Sequence, residues 1–318
     1  MRARMKSLAR RRGARLVAAI AVAGAAIALG APAGISRGDA ADRFVAGGPV
    51  TDRTPVAADR AVVTLGLAAA FRSRLGLPEP ATSRVERVVD RFDGTAYDEV
   101  TASNGAGQAV HVARFDVRGR LVGAVAFGWQ AAGGPPLANA AAARARGDRL
   151  AADLALEPSG TPDVRQAPDG TGWIVTWPRL VDGVPVVGDG VRVDLWPDGR
   201  MHAIVRTERS LAARPAVTLD EAMARSRATA TLGTIFGGRA GQVRIASIAL
   251  GWVAPNSAFD PTGPDAPGAT LRLAWIAEAR TSGDLADGLQ AVKLFLDAGT
   301  GTLIGGDCQR GTYCTALA

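Results

Sequence analysis

An α+β fold assembled from helix-plus-antiparallel-sheet units is the class that this sequence predicts, and three observations predict it. Helix-like segments are each followed by two or more strand-like segments, and that order recurs three times along the chain. The three stretches also end alike: "RFDVRGRLVGAV" from Arg114, "RVDLWPDGRMHAIV" from Arg192 and "KLFLDAGTGTLIGG" from Lys293. Each has a strand, an aspartate (Asp116, Asp194, Asp297), a turn with glycine (Gly119, Gly199, Gly301) and a returning apolar strand. A parallel doubly wound sheet would need a helix between successive strands, which these stretches lack.

The first element is a targeting segment. "MRARMKSLARRRGAR" carries seven Lys and Arg and no acid, and it runs into "LVAAIAVAGAAIALG" and the small-residue exit "APA" at Ala33. A basic head, a short apolar middle and small residues describe a secretory signal over residues 1–33, with an uncleaved membrane anchor as the alternative. The chain is formally +7. Without residues 1–33 it carries 30 charges of each sign, so its basicity is no argument for a nucleic-acid partner. Residues 34–56, rich in Gly, Pro, Asp and Arg, read as a flexible linker.

The first unit spans residues 57–130. "DRAVVTLGLAAAFRSRLGL" (Asp59–Leu77) suits a helix ended by Pro78, and strands follow around Asn104-Gly105 and Arg118-Gly119 turns. The second unit, residues 135–210, opens on the alanine-rich helix of Pro135–Leu156, weakened by Gly147. Its strands are "GWIVTWPRLV", "VRVDLW" and "RMHAIVRT", with turns at Asp169-Gly170 and between Asp182 and Gly190. The third, residues 215–307, starts on "VTLDEAMARSRATATLG", where Thr218 and Glu221 have the spacing of a capping box. "QVRIASIALGWV", "TLRLAWIAEA" and "AVKLFLDA" supply its strands, the first two separated by the Pro255–Gly268 loop. The tail, residues 308–318, holds the only cysteines, Cys308 and Cys314, expected to form a disulfide outside the cytoplasm, with two free thiols as the alternative.

Candidate chemistry is sparse. "GDG" at Gly188 lacks the alternating oxygen ligands and final glutamate of a calcium loop and the GK[ST] of a phosphate loop, so it reads as sheet turn. In "VRVDLW", Val191, Val193 and Leu195 share one face and Arg192, Asp194 and Trp196 the other, the period of a half-buried strand. The two histidines, His111 and His202, lie 91 residues apart on different strands, His202 read as solvent-facing and His111 as partly buried. There is no G-x-S-x-G elbow and no H-E-x-x-H, so neither a serine hydrolase nor a zinc hydrolase is expected. Paired carboxylates are harder to exclude from sequence, but Asp116, Asp194 and Asp297 recur where aspartate caps backbone amides. Trp129, Trp173, Trp177, Trp196, Trp252 and Trp275 lie in or beside strands and read mainly as packing. Trp177 and Trp196 are the candidates for an exposed binding pair. No catalytic residue, metal ligand or cofactor is expected.

"GVPVVGDGVRVDLWPDGRMHAI" followed by "PAVTLDEAMARSRA" resembles PepSY-type modules and the related propeptide domains of thermolysin-like metalloproteases. Gly183, Pro185, Val186, Gly188, Asp194, Gly199, Thr218, Glu221 and Ala222 stand at the family's places. "AVKLFLDAGTGTLIGG" is similar to its closing hairpin, with Asp297, Ala298, Thr300 and Gly301 in register and Leu296 in the usual valine place. The resemblance covers residues 136–307, and 57–130 more loosely. It implies a cystatin-like helix on a curved antiparallel sheet, and a non-enzymatic exported protein that binds another exported protein, a protease among the candidates. No protease domain follows Asp307, so the expected action is in trans. The alternative is a cell-envelope structural or ligand-binding module for a lipid, glycan or peptide, and an unrecognised hydrolase is the least favoured reading.

Overall fold

A computed structural model describes residues 50–90, 95–127, 133–167, 170, 172–259 and 270–309. The signal segment, Trp129, Asp169 and Cys314 lie outside the described residues, as does most of the Pro255–Gly268 loop. Strand β1 (Val50–Pro55) precedes helix α1 (Ala58–Leu75), which is followed by β2 (Thr82–Asp90), β3 (Ala96–Ser103), β4 (Ala109–Phe115) and β5 (Leu121–Ala126). Helix α2 (Ala140–Asp153) precedes β6 (Asp163–Gln166), β7 (Trp173–Val181), β8 (Val184–Leu195), β9 (Met201–Thr207) and β10 (Ser210–Leu211). Helix α3 (Glu221–Phe236) precedes β11 (Val243–Val253), β12 (Thr270–Thr281), the short α4 (Leu285–Gly288), β13 (Ala291–Asp297) and β14 (Leu303–Gln309). The fold is therefore α+β and sheet-rich, as the period-two segments predict.

All the strands among the described residues belong to one 14-stranded, mostly antiparallel sheet. Two seams join its three stretches. At the first, β5 pairs antiparallel with β9 through Gly123–Val205, Ala124–Ile204 and Val125–Ala203. At the second, β8 meets β11 in parallel at Val186–Trp252, and β10 runs parallel to the start of β12. The chain is thus not a string of separate sheets.

The helices share one face of it. Ala68 and Phe71 of α1 and Ala143, Leu150 and Ala151 of α2 pack in one cluster with Val100, Phe115, Val175, Trp177, Val191 and Ile204. Arg179 has the same strand parity as Trp177, stands opposite Val186, and Val186 stands opposite Trp252. Trp252 lies in the cluster that Trp275 joins to the one under Ala228, Leu232 and Phe236 of α3. All three long helices therefore cover the same side, and no described helix covers the other.

Several sequence expectations need correction. Val50–Pro55, assigned to the linker, is a strand on β2, its Arg53 bonded to Glu86 and Glu99. Strands β2, β6 and β10 are additional. Helix α1 stops at Gly76, whose φ of 63° lets its N–H turn back to Arg72 and Ser73 carbonyls before Pro78 is reached. The capping box does not form: Asp220 is the N-cap of α3, accepting from the Met223 N–H at 2.7 Å, while the Thr218 hydroxyl donates to the Gly299 carbonyl.

The "GDG" stretch is not a turn. The hairpin between β7 and β8 closes on Asp182-Gly183, both at positive φ, and β8 then runs through Gly188 and Gly190 without ending. Pro178 faces Gly190 and Arg179 faces Val186, so Val187, Gly188 and Asp189 bulge from the ladder. The bulge turns the Asp189 carboxylate inward, where it accepts from the Arg209 N–H and Nε, both at 2.7 Å, and from Arg179 Nη1 at 3.2 Å.

Asp194 also loses its assigned place. Gly119 N–H donates to the Asp116 carbonyl and Gly301 N–H to the Asp297 carbonyl, whereas Gly199 N–H donates to that of Trp196. Trp196, not Asp194, is the residue equivalent to Asp116 and Asp297. Asp116 Oδ1 accepts from the Arg118 and Arg120 amides, and Asp297 Oδ1 from those of Gly299 and Thr300. The amide-capping role in the middle stretch passes to Asp198, which accepts from Arg200 N–H. Asp194 holds Arg192 instead.

Candidate functional site

The candidate residues collect on the helix-free face of the sheet, where Glu99, Val112, Arg114, Val125, Ile174 and Val205 are themselves buried. Side chains on it can be read off the ladder, because directly opposed residues point the same way. One row runs Arg165, Ile174, Asp194, Ala203, Val125, Val112 across β6, β7, β8, β9, β5 and β4. The neighbouring row runs Thr176, Arg192, Val205, Gly123, Arg114, Glu99. Val125 and Val205 form a small apolar cluster with Phe127 and Ala203, and Arg192 lies on Asp194 through two bonds of 2.7 and 2.8 Å. Burial is the largest influence on the Arg192 guanidinium and disfavours its charge, but Asp194 outweighs it and holds the pKa above the ordinary value.

The two sequence-predicted tryptophans separate. Trp177 is 3% exposed and belongs to the core under α2, where it touches the space that a Cβ at Gly147 would enter. Its parity with Val175, opposite Val193, carried that information, and the expected exposed pair does not form. Trp196, half-buried just beyond β8, lies against the His202 imidazole with ring centroids 4.1 Å apart. His202, expected to face solvent, is half-buried in that contact.

What sequence reasoning missed is two side chains with orphaned donors. The Trp196 indole N–H and the Arg165 Nε and Nη1 groups are shielded from solvent and have no hydrogen-bond partner. Buried donors are normally satisfied, and each one left over costs about 1–3 kcal/mol. Arg165 stands two strands from Asp194, and Trp196 follows Asp194 by two residues, so both donors belong to one end of the same face. The Trp252 indole N–H is also orphaned, but Trp252 is 2% exposed and interior.

The acids are engaged. Asp98, Glu99, Asp116, Asp189 and Asp297 are the buried carboxylates among the described residues, and each is paired with arginine. Burial pushes Asp98 up, yet Arg87 and Arg60 outweigh it and hold the group below the ordinary carboxylate value. Asp116 and Asp297 are held low in the same way, against burial, by amide bonds and by Arg120 and Arg272. A carboxylate kept ionised by arginine is a poor proton donor near neutrality. Among the described residues no group of three or more His, Cys, Asp or Glu could hold a metal ion, and no helix is long and apolar enough to cross a membrane.

His111, 2% exposed, faces Phe71 on the helix side, more buried than expected. Burial first, and then the Arg72 charge, hold its pKa below the ordinary histidine value. The unfolded chain therefore binds a proton that the folded one refuses. Stability is full above the ordinary histidine pKa and falls as the pH drops below it. Thermal midpoints should decline between about pH 7 and pH 5, and His111→Phe should flatten most of that decline. A second loss is expected below the ordinary carboxylate pKa as Asp98, Asp116 and Asp297 protonate.

The remaining predicted residues are structural. Gly183, Gly188, Gly199 and Gly301 take φ of 77°, 80°, 81° and 72°, and Pro185 sits exposed on β8 opposite Leu180. Cys308 lies on β14 opposite Val292, and its expected partner Cys314 is outside the described residues.

No protein-family profile matches the sequence, and no curated protein matches it significantly. Among solved structures the chain is similar to the Bacillus megaterium YpeB C-terminal domain, with 13% identity and a TM-score of 0.44 over 81% of this chain and 100% of that one. A likeness that distant decides neither family nor partner.

Proposed function

We propose that this protein is an exported, non-enzymatic binding module that takes a segment of another exported protein on the helix-free face of its sheet. The three helix-then-strands stretches are, in this reading, copies of one PepSY-like unit with a cystatin-like build. The carrying observation is the set of orphaned donors, Trp196 Nε1 and Arg165 Nε and Nη1, at one end of that face. A polypeptide supplies carbonyl and carboxylate acceptors at the spacing of a strand, which is what such donors require. A protease is a candidate partner, restrained in trans by occupancy of its surface. The Arg-matched carboxylates support the non-enzymatic reading. The Trp196–His202 stack favours a second reading, an envelope glycan lying on an aromatic platform.

The test is capture of exported proteins from the producing organism on the immobilised full chain, with protease activity measured in the unbound fraction. Retention should fall about tenfold or more in Arg165→Ala and Trp196→Ala, the size of a typical anchor residue's loss. Retention unaffected by either substitution, or no retained protein at all, would overturn the reading; fluorescence quenching of Trp196 by envelope saccharides would then favour the second.

A further inference from the structure

We propose that the outward face of α1 is a two-fold interface between two copies of this chain. Residues Ala61–Phe71 of this surface helix carry no charge. At 100° per residue, Asp59, Val62, Gly66, Ala70 and Ser73 fall on the side opposite buried Thr64, Ala68 and Phe71, with Val63 and Arg74 on one flank of that side. Val62 is 71% exposed and Val63 54%. The Asp116–Gly119 turn lies alongside, held by Arg60 to the Asp116 carbonyl and packed at Gly119 against Leu67, and it adds Val117, 64% exposed.

Two features point to a second copy as the occupant. The first is Gly66. A Cβ built there meets nothing within 4 Å, so the chain's own packing gives no reason for a glycine that weakens the middle of an exposed helix. A close helix–helix approach does give one. The second is charge. The stripe begins at Asp59 and ends at Arg74, and a two-fold axis near Gly66 and Leu67 sets Asp59 of each copy against Arg74 of the other. Arg74, which is exposed, also donates from Nη1 to the Asp153 carbonyl, and that bond holds it in place. An unrelated apolar partner would have no need of this reversed polarity.

Sedimentation of the full chain over a range of concentrations tests this, with thermal unfolding followed in parallel. A reversible monomer–dimer equilibrium is expected. Asp59→Arg and Arg74→Asp should each raise its dissociation constant about tenfold, and the two together should restore it to within about threefold. Gly66→Leu should abolish the dimer while raising the thermal midpoint, a divergence that a glycine needed only for folding would not produce. A monomer at every concentration, including one whose stripe is covered by another segment of its own chain, overturns the proposal. So does a dimer indifferent to the charge exchange.

Discussion

Replacing Gly190 by alanine is expected to destabilise the protein by more than about 4 kcal/mol, in the tail of single substitutions, and to leave little folded chain. Gly190 closes the β8 bulge at a φ of 136°, where a side chain costs about 1–3 kcal/mol of strain by itself. A Cβ there would also sit 2.1 Å from the Trp177 carbonyl oxygen and 3.0 Å from the Arg179 nitrogen. Both obstacles are backbone, so no rotamer change relieves them. Strands β7 and β8 would have to part beside Trp177, the largest side chain of the core beneath α2. Gly107 is the control: its φ of 74° carries the same kind of strain, but a Cβ there meets nothing within 4 Å. Gly107→Ala should cost about 1 kcal/mol. Urea unfolding of the two variants measures the contrast, and comparable midpoints would show that β7 and β8 are less closely held than the geometry says.

Alternation made much of this fold legible. Val191, Val193 and Leu195 are 4%, 0% and 2% exposed and face the helices as their spacing predicts, with Arg192, Asp194 and Trp196 on the other side. Where the reading failed, the reasons are physical. "TSRVERVVD" does not look like a strand, because its charges are neutralised across the ladder: Glu86 meets Arg53 of β1, and Arg87 meets Asp98 of β3. Such pairing needs strands distant in sequence. The Asp194 misalignment is a slip of two residues, and a period of two is blind to it, since the apolar face is unchanged. Only the closing bond from Gly199 to Trp196 fixes the register. Gly188 and Gly190 advertise unusual backbone without saying whether it bends a chain back or kinks a strand that continues. The orphaned donors leave no trace in sequence, because an unmet hydrogen bond is a property of the surroundings.

The remaining large effect concerns Asp189, the acid inside that bulge. Asp189→Ala is expected to cost about 3–5 kcal/mol, the usual consequence of removing one member of a buried ionic group. Its carboxylate is fully shielded, while Arg179 and Arg209 are 23% and 15% exposed at the side chain. Without it, two guanidinium groups and the Arg209 N–H lose their acceptor in a place water barely reaches. The loss should spread beyond the bulge. Arg209 also holds the Val187 carbonyl, and it precedes β10, which pairs with β12 across the second seam. Asp189→Asn should be nearly as costly: it keeps one acceptor but points an amide donor at arginine donors. The exposed pair Arg144–Asp148, 3.6 Å apart, is the reference, and Asp148→Ala should shift stability by no more than about 0.5 kcal/mol. Hydrogen exchange on the variants distinguishes the route. If Asp189 ties the second seam, its removal should free amides of β10 and the start of β12 before those of β3 and β4. Uniform loss of protection would mean that the bulge serves only β7 and β8.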